Sequence, residues 1–401
     1  MSLTQTPSGE RLHIGLFGKR NAGKSSIMNA ITGQAHSVVS DVAGTTTDPV
    51  KKAMELLPIG AVVITDTPGF DDEGELGTLR IEKTEQALAS TDISLIVTDS
   101  TRPMDKSETD FVQALEAKKL PYIIIHNKSD LLDAIPSASD NEIWVSASEN
   151  INIHELKEKI ASVAKLTTSD RRIISDMLNA GDVVILVTPI DSSAPKGRLI
   201  LPQQQTIRDI IDSRCTAIVC QDTELTHTLD ALKNPPKMVI TDSQAFGKVA
   251  KLVPRDIPLT SFSILFARYK GELETLVKGA SALENLRSGD KILISEGCTH
   301  HRQCGDIGTV KLPAWIKNFC GGEVEFDFTS GGEFPKKLEE YKLILHCGGC
   351  MLNEAEMKHR INTAISAGVP MVNYGIAIAH MNGILKRSLE IFPDIAKILT
   401  E

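Results

Sequence analysis

The stretch Gly18-Lys-Arg-Asn-Ala-Gly23-Lys24-Ser25 has the spacing G-x-x-x-x-G-K-[ST], between an apolar run and a helix-spaced segment. Glycines at both ends let a backbone wrap closely enough for its N–H groups to converge on phosphate oxygens. Gly18, Asn21, Ala22, Gly23, Lys24, Ser25 and Ser26 are therefore candidate nucleotide contacts, with Lys24 reaching the outer phosphates and the Ser25 hydroxyl binding Mg²⁺. Asp66-Thr-Pro-Gly69 closes a buried strand, where a carboxylate can hold the Mg²⁺ shell and the Gly69 amide can meet a γ-phosphate. Asn127-Lys128-Ser-Asp130 closes another. There Asp130 can accept two hydrogen bonds from the guanine N1–H and exocyclic amine, which adenine cannot supply. Ser146-Ala147-Ser148 suits backbone contact to the guanine carbonyl, and Thr45 and Thr46 lie in a loop where Thr46 can complete the metal shell. These elements in this order imply GTP, with Lys24, Thr46, Asp66 and Gly69 as the candidate catalytic set.

A second constellation lies far downstream. None of the seven cysteines falls in the first 200 residues, and five follow residue 297. His300, His301, His346, His359 and His380, half of the ten histidines, share that region. Cys298-x-His300 follows one apolar run, and His346-Cys347-Gly-Gly-Cys350 follows another 45 residues later. Two thiolates on one tight turn make a good chelate. Three chemistries fit. A redox dithiol needs only Cys347 and Cys350; structural zinc wants four ligands in a closed tetrahedron; an iron–sulfur cluster normally wants four thiolates. With three thiolates firmly placed, one iron would carry an exchangeable ligand, and spacing by itself does not decide among the three.

Strands and helices must position these groups. "LHIGLFG", "AVVITDT", "ISLIVTD", "YIIIHNK" and "EIWVSAS" read as buried strands, alternating with helical segments such as "SSIMNAITG" and "SETDFVQALEAKKL". That alternation predicts an α/β fold: an N-terminal P-loop domain on a mostly parallel sheet, followed by two smaller α/β domains. The expected bounds are 1–170, 171–272 and 273–401. "DVVILVTPID", "CTAIVC" and "KMVITD" supply strands of the middle domain, and the sequence 262–286 reads as a helix leading out of it. In the last domain "GDKILISEGCTH" and "YKLILHCGGC" end in the candidate ligands, with helical "NEAEMKHRINTAISAG" after them.

Bulk properties narrow the classes. A formal net charge of −9 over 401 residues gives no basic field for nucleic acid. No apolar run spans a bilayer and no leader precedes the first strand, so a cytoplasmic protein is expected, its thiols reduced and not paired.

The nucleotide motifs resemble the translation-factor-related GTPases, especially the branch with tRNA-modifying and ribosome-assembly members. Phe70 stands where many small GTPases carry a water-orienting glutamine. Asn21 matches an asparagine that in this branch helps bind K⁺ beside the phosphates, which implies potassium-stimulated hydrolysis. Combined with the Cys298-x-His300 and His346-Cys347-x-x-Cys350 motifs, and with "PIDSSAPKGRLILPQ" in the middle, the whole chain resembles the HydF-type GTPase scaffold that matures FeFe-hydrogenases. That resemblance implies a dimerisation domain at 171–272 and a 4Fe-4S cluster on Cys298, Cys347 and Cys350. It also implies a transient diiron CO/cyanide/dithiolate precursor delivered to the apo FeFe-hydrogenase, two radical-SAM maturases as partners, and a homodimer. His300 and His346 are candidates for the remaining ligand or the cavity wall, and Asp191 is an outside candidate. His301 and Cys304 fall outside the motif. Lys196 and Arg198 sit where they could attract an anionic fragment, or simply lie in a solvated loop. The alternative is a ribosome- or tRNA-associated GTPase whose C-terminal domain is stabilised by zinc.

Overall fold

A computed structural model describes residues 6–33, 50–69, 83–167, 171–189, 199–270, 272–297 and 306–399. Thr45, Thr46, Phe70, Asp191, Lys196, Arg198, Cys298, His300, His301 and Cys304 lie outside the described residues. The chain divides into two compact units, Met1–Asp170 and Arg171–Glu401.

The first unit is built on β1 (Leu12–Phe17), β2 (Val50–Leu56), β3 (Gly60–Asp66), β4 (Ile93–Asp99), β5 (Tyr122–Asn127) and β6 (Glu142–Trp144). Their order is β2-β3-β1-β4-β5-β6, and every neighbouring pair is parallel except β2 with β3. Strands covered on both faces read as unbroken apolar runs. Leu16, Ile64, Leu95 and Ile125 bury one face with Ile27, Ile31 and Ile160, while Phe17, Ile96 and Ile124 bury the other with Leu115. β2 was not expected from sequence. It is an edge strand whose Lys51, Ala53 and Glu55 face solvent, so it carries no apolar run to notice. The helix Lys106–Ala117 starts at a capping box: Asp105 accepts from the Ser107 and Glu108 amides at 3.0 and 3.2 Å, and Glu108 accepts from the Asp105 amide at 3.0 Å.

The second unit holds two parallel four-stranded sheets. One is ordered β10-β9-β7-β8, from β7 (Val183–Val187), β8 (Thr216–Cys220), β9 (Met238–Thr241) and β10 (Leu259–Ser261). The other is ordered β12-β11-β13-β14, from β11 (Lys291–Glu296), β12 (Glu325–Ser330), β13 (Leu343–His346) and β14 (Met371–Asn373). The P-loop sheet and the further parallel sheets bear out the expected fold class. A single apolar core runs through both sheets of this unit, including Leu186, Ile240, Phe262, Leu276, Ile294, Leu345 and Ile376. The helical segment expected over 262–286 is broken into Phe262–Tyr269, Leu273–Ala280 and a 3₁₀ turn at Ser281–Asn285. At the first break Lys270 is turned inward, 6% exposed, and its Nζ donates to the Leu352 carbonyl at 2.6 Å.

Both sheets that carry chemistry place it by the same rule. In a parallel sheet the crevice opens at the carboxyl ends of two adjacent strands whose connections leave in opposite directions. In the first unit those strands are β1 and β4, and the phosphate-loop motif follows β1. In the last sheet they are β11 and β13. Gly297 follows the first and Cys347 the second, and Ser295 pairs in register with His346.

Candidate nucleotide and metal sites

The segment from Gly18 to Gly23 connects β1 to the helix Lys24–Thr32 through three positive-φ residues: Gly18 (142°), Asn21 (61°) and Gly23 (95°). At Gly23 a side chain is excluded twice, by the left-handed backbone and because a Cβ would lie 2.2 Å from Asn127 Nδ2. Lys24, only 9% exposed, folds over the loop, its Nζ donating to the Gly18 and Lys19 carbonyls at 2.9 and 2.8 Å. Its ammonium therefore lies against the loop backbone, within reach of a phosphate bound there. Ser26 lies in the first turn of the same helix, and Ala22 is buried. Lys19 is also tied to the sheet's far side through an ion pair with Asp105.

Asn127 joins the phosphate-loop segment to the Ser146–Ser148 loop. Its Nδ2 donates to the Ala22 carbonyl at 3.0 Å and its Oδ1 accepts from the Ala147 amide at 3.1 Å. Ser146, fully buried, accepts from the Glu149 amide at 3.2 Å and lies 3.1 Å from the Ser148 hydroxyl. Lys128 adopts a left-handed backbone (φ 66°) and pairs with Asp99. Burial opposes ionisation of Asp99, but the Lys128 ammonium and the Thr101 donors outweigh it and hold the carboxyl down at about 2. Asp130 is exposed in the short turn after Lys128, where its carboxylate can meet a purine edge.

Ser25 and Asp66 form the hard-oxygen pair expected for Mg²⁺. The Ser25 hydroxyl donates to Asp66 Oδ2 at 2.7 Å, while Asp66 Oδ1 is buried with no hydrogen-bond partner among the described residues. Burial raises the Asp66 pKa, against the Ser25 hydrogen bond and the Lys24 and Lys52 ammonium groups. A buried carboxylate with one oxygen unused beside a hydroxyl suits a divalent cation that prefers oxygen ligands. Thr67 fastens this segment to β1 through a 2.6 Å bond from its hydroxyl to the Leu16 carbonyl, with Gly69 two residues on.

In the second unit Cys347 continues β13, its amide donating to the Ser295 carbonyl of β11 at 3.0 Å. Its sulfur accepts from the Gly297 amide at 3.0 Å and from the Gly349 amide at 3.4 Å. Gly349 has φ 61°, a left-handed backbone that favours glycine, and a Cβ there would lie 2.5 Å from Met357 Sδ, which would have to shift. Burial pushes the Cys350 thiol up to about 11, the nearby Cys347 adds to that, and the Lys270 ammonium works against it. Amide donors on one sulfur, and a second half-buried sulfur three residues on in the same turn, fit a shared soft cation or cluster. Among the described residues no group of three or more His, Cys, Asp or Glu side chains is arranged to hold a metal; the turn supplies two sulfurs. The crowding of histidines is not one cluster. His380 faces Glu284 at 3.2 Å and His359 is exposed on the helix Glu354–Ser366.

His346 is fully buried beneath this turn. Its Nδ1 lies 2.7 Å from the Cys347 carbonyl, and its Nε2 lies 3.1 Å from Nη1 of Arg360. Arg360 is itself fully buried, and sequence reading did not single it out. It donates to Glu356 at 2.9 Å, to Ser295 Oγ at 3.3 Å and to the Gly331 carbonyl at 2.6 Å, and it stacks over Phe334. The available signal was a Glu356–Arg360 pair on the same helical face as Met357, Ile361 and Ala364, a charged pair on a core stripe.

Comparison with known proteins divides along the same lines. Residues 13–128 match the family model "50S ribosome-binding GTPase", residues 173–271 the "Hydrogen maturase F dimerization domain", and residues 274–391 the "Hydrogen maturase F tetramerization domain". Similar curated proteins include the tRNA modification GTPase MnmE of Endomicrobium trichonymphae, 31% identical over 45% of this chain and 41% of that one. GTPase Der of Wolinella succinogenes is 33% identical over 44% of this chain and 40% of its own. The match thus spans about two fifths of the length of these relatives. Among solved structures, a probable GTP-binding protein engB aligns over 38% of this chain and 99% of its own, at 21% identity and a TM-score of 0.32.

Proposed function

This chain belongs to the hydrogen maturase F family, a GTPase domain followed by dimerization and tetramerization domains, and from that premise we propose that it is a GTP-switched carrier in the assembly of FeFe-hydrogenase. In this reading Gly18–Ser26 and Asp66–Gly69 hold the phosphates and Mg²⁺, and Asn127–Asp130 with Ser146 and Ala147 hold guanine. Lys24, Thr46, Asp66 and Gly69 carry hydrolysis, and K⁺ at Asn21 supplies the charge that a finger arginine supplies elsewhere.

The Cys347–Cys350 turn, with Cys298, would hold a 4Fe-4S cluster, and Asp191, His300 and His346 are candidates for the remaining position. When bound, that cluster supplies an iron corner with an exchangeable ligand. The cargo is a diiron unit carrying CO, cyanide and a dithiolate bridge, received from two radical-SAM maturases and passed to the apo-hydrogenase. The observation that carries this reading is the convergence of the Gly297 and Gly349 amides on Cys347 Sγ, in a chain matched by two hydrogen maturase models. Nucleotide state would act through 45–47 and 70–77, changing partner affinity by whatever contacts those loops make differently with GTP and GDP.

Homodimerisation is supported by the dimerization model and by β8, an outer strand that leaves Val219 42% exposed and an edge open to pairing. Among the described residues no helix is long and apolar enough to cross a membrane; a cytoplasmic carrier is part of the proposal and does not follow from that absence.

The second reading, a ribosome- or tRNA-directed GTPase with a structural zinc, is favoured by the first domain's match and by the MnmE and Der similarities. Metal and acid-labile sulfide content after purification without oxygen separates the two. Iron with sulfide supports the carrier; stoichiometric zinc without sulfide removes it and leaves the GTPase.

A further inference from the structure

His346 has one proton and one ring lone pair to offer when neutral, and both are engaged. A carbonyl oxygen only accepts, so the 2.7 Å contact with the Cys347 carbonyl puts the proton on Nδ1. Nε2 is then the acceptor, and the Arg360 guanidinium donates to it at 3.1 Å. That guanidinium is not free to withdraw. It has no solvent exposure, and its other donors go to Glu356, Ser295 and the Gly331 carbonyl, so removing it would strand a charge and three acceptors in the interior.

We propose that Arg360 is a positioning residue of the metal centre: it claims His346 Nε2, so that His346 orients the Cys347 turn and is not a ligand of the metal. The proposal rests on the carrier reading and deepens it by removing one of the candidates for the exchangeable position. Two consequences follow from charge and geometry. The guanidinium, its charge balanced by Glu356, places fixed N–H donors beneath a turn whose thiolates are negative when metal is bound. Because Arg360 also bonds Ser295 Oγ, and the Ser295 carbonyl receives the Cys347 amide, one side chain sets the positions of β11 and β13 at the point where the cysteine turn leaves the sheet.

The test uses the full chain, labelled with ¹⁵N-histidine and purified without oxygen, in wild-type, His346→Gln and Arg360→Met forms. In the metal-free chain, nitrogen NMR should show His346 protonated at Nδ1 and bare at Nε2 in wild type; the opposite tautomer overturns the proposal whether or not a cluster can be loaded. After reconstitution with iron and sulfide, iron content measures the carrier reading independently. His346→Gln should hold iron within about twofold of wild type, with a pulsed-EPR spectrum of the reduced cluster that lacks no nitrogen coupling present in wild type. A strong ¹⁵N coupling in wild type that disappears in His346→Gln overturns the proposal. In Arg360→Met the released Nε2 should yield a new histidine coupling or a spectrum with altered g-values; a spectrum identical to wild type overturns it. If Arg360→Met fails to fold, the tautomer and the His346→Gln comparison still decide.

Discussion

Asn127 Nδ2 donates to the carbonyl of Ala22, 3.0 Å away and 105 residues earlier in the chain, while the same amide's oxygen receives the Ala147 N–H. The side chain thus locks the phosphate loop to the Ser146–Ser148 loop, which is proposed to meet the guanine carbonyl. Asn127→Ala removes both bonds and leaves a buried carbonyl and amide unpaired, at about 1–3 kcal/mol each. Guanine-nucleotide affinity should drop by roughly 10- to 100-fold, read by titration of a fluorescent GDP analogue. An unchanged affinity would mean the two loops are held by something else.

Asp130 is exposed at the end of the "NKSD" turn, where its carboxylate can take two hydrogen bonds from guanine. Asp130→Asn replaces one acceptor oxygen by a donor. GTP affinity should fall about 100-fold, from two charge-assisted bonds weakened at about 1.5 kcal/mol each. Xanthosine triphosphate, which presents a carbonyl where guanine presents an amine, should bind more tightly than to the wild type. Equal losses for both nucleotides would argue that Asp130 does not read the base.

Asn21 occupies a positive-φ position (61°) in the phosphate loop. Asn21→Gly keeps that backbone accessible and deletes the amide. GTP hydrolysis by the wild type should be faster in K⁺ than in Na⁺ by about 10-fold, about 1.4 kcal/mol of transition-state stabilisation, and the variant should lose that difference. Equal wild-type rates in the two salts would remove the potassium site from the proposal.

The Asp99–Lys128 pair gives a pH signature. The Asp99 carboxyl is held down at about 2 in the folded chain, below its ordinary value of 3.8. A depressed carboxylate pKa contributes stability above the unfolded pKa and loses it as pH falls through the folded one. Asp99→Asn should therefore be less stable than wild type near neutrality, with the two denaturation midpoints converging between about pH 4 and pH 2. A gap that persists unchanged to pH 2 would show that the ion pair is not its source.

At the cysteine turn, Gly349→Ala sets a Cβ against Met357 Sδ at 2.5 Å and strains a φ of 61°. Iron retained after anaerobic reconstitution should fall, though less far than in Cys350→Ala, while guanine-nucleotide affinity stays at the wild-type value. Full iron retention in Gly349→Ala would dissociate the tight turn from metal binding.

Much of this molecule is written locally. The phosphate loop, "DTPG", "NKSD" and "SAS" each sit at a strand end that their own flanking residues specify, because strands covered on both faces announce themselves as apolar runs. The three α/β regions followed from the same alternation. Edge strands such as β2 and β12 escaped notice, since residues open to solvent on both sides leave no apolar run. Sequence also brought Cys347 and Cys350 together, because only two residues separate them and both glycines let the backbone curl. It did not say where His346 would point. That was decided by a helix beginning eight residues later, whose Arg360 enters the core and meets the imidazole from below. A histidine's capacity to bind metal depends on which ring nitrogen keeps a lone pair. The hydrogen-bond partners fix that, and they are assembled only when the chain has folded.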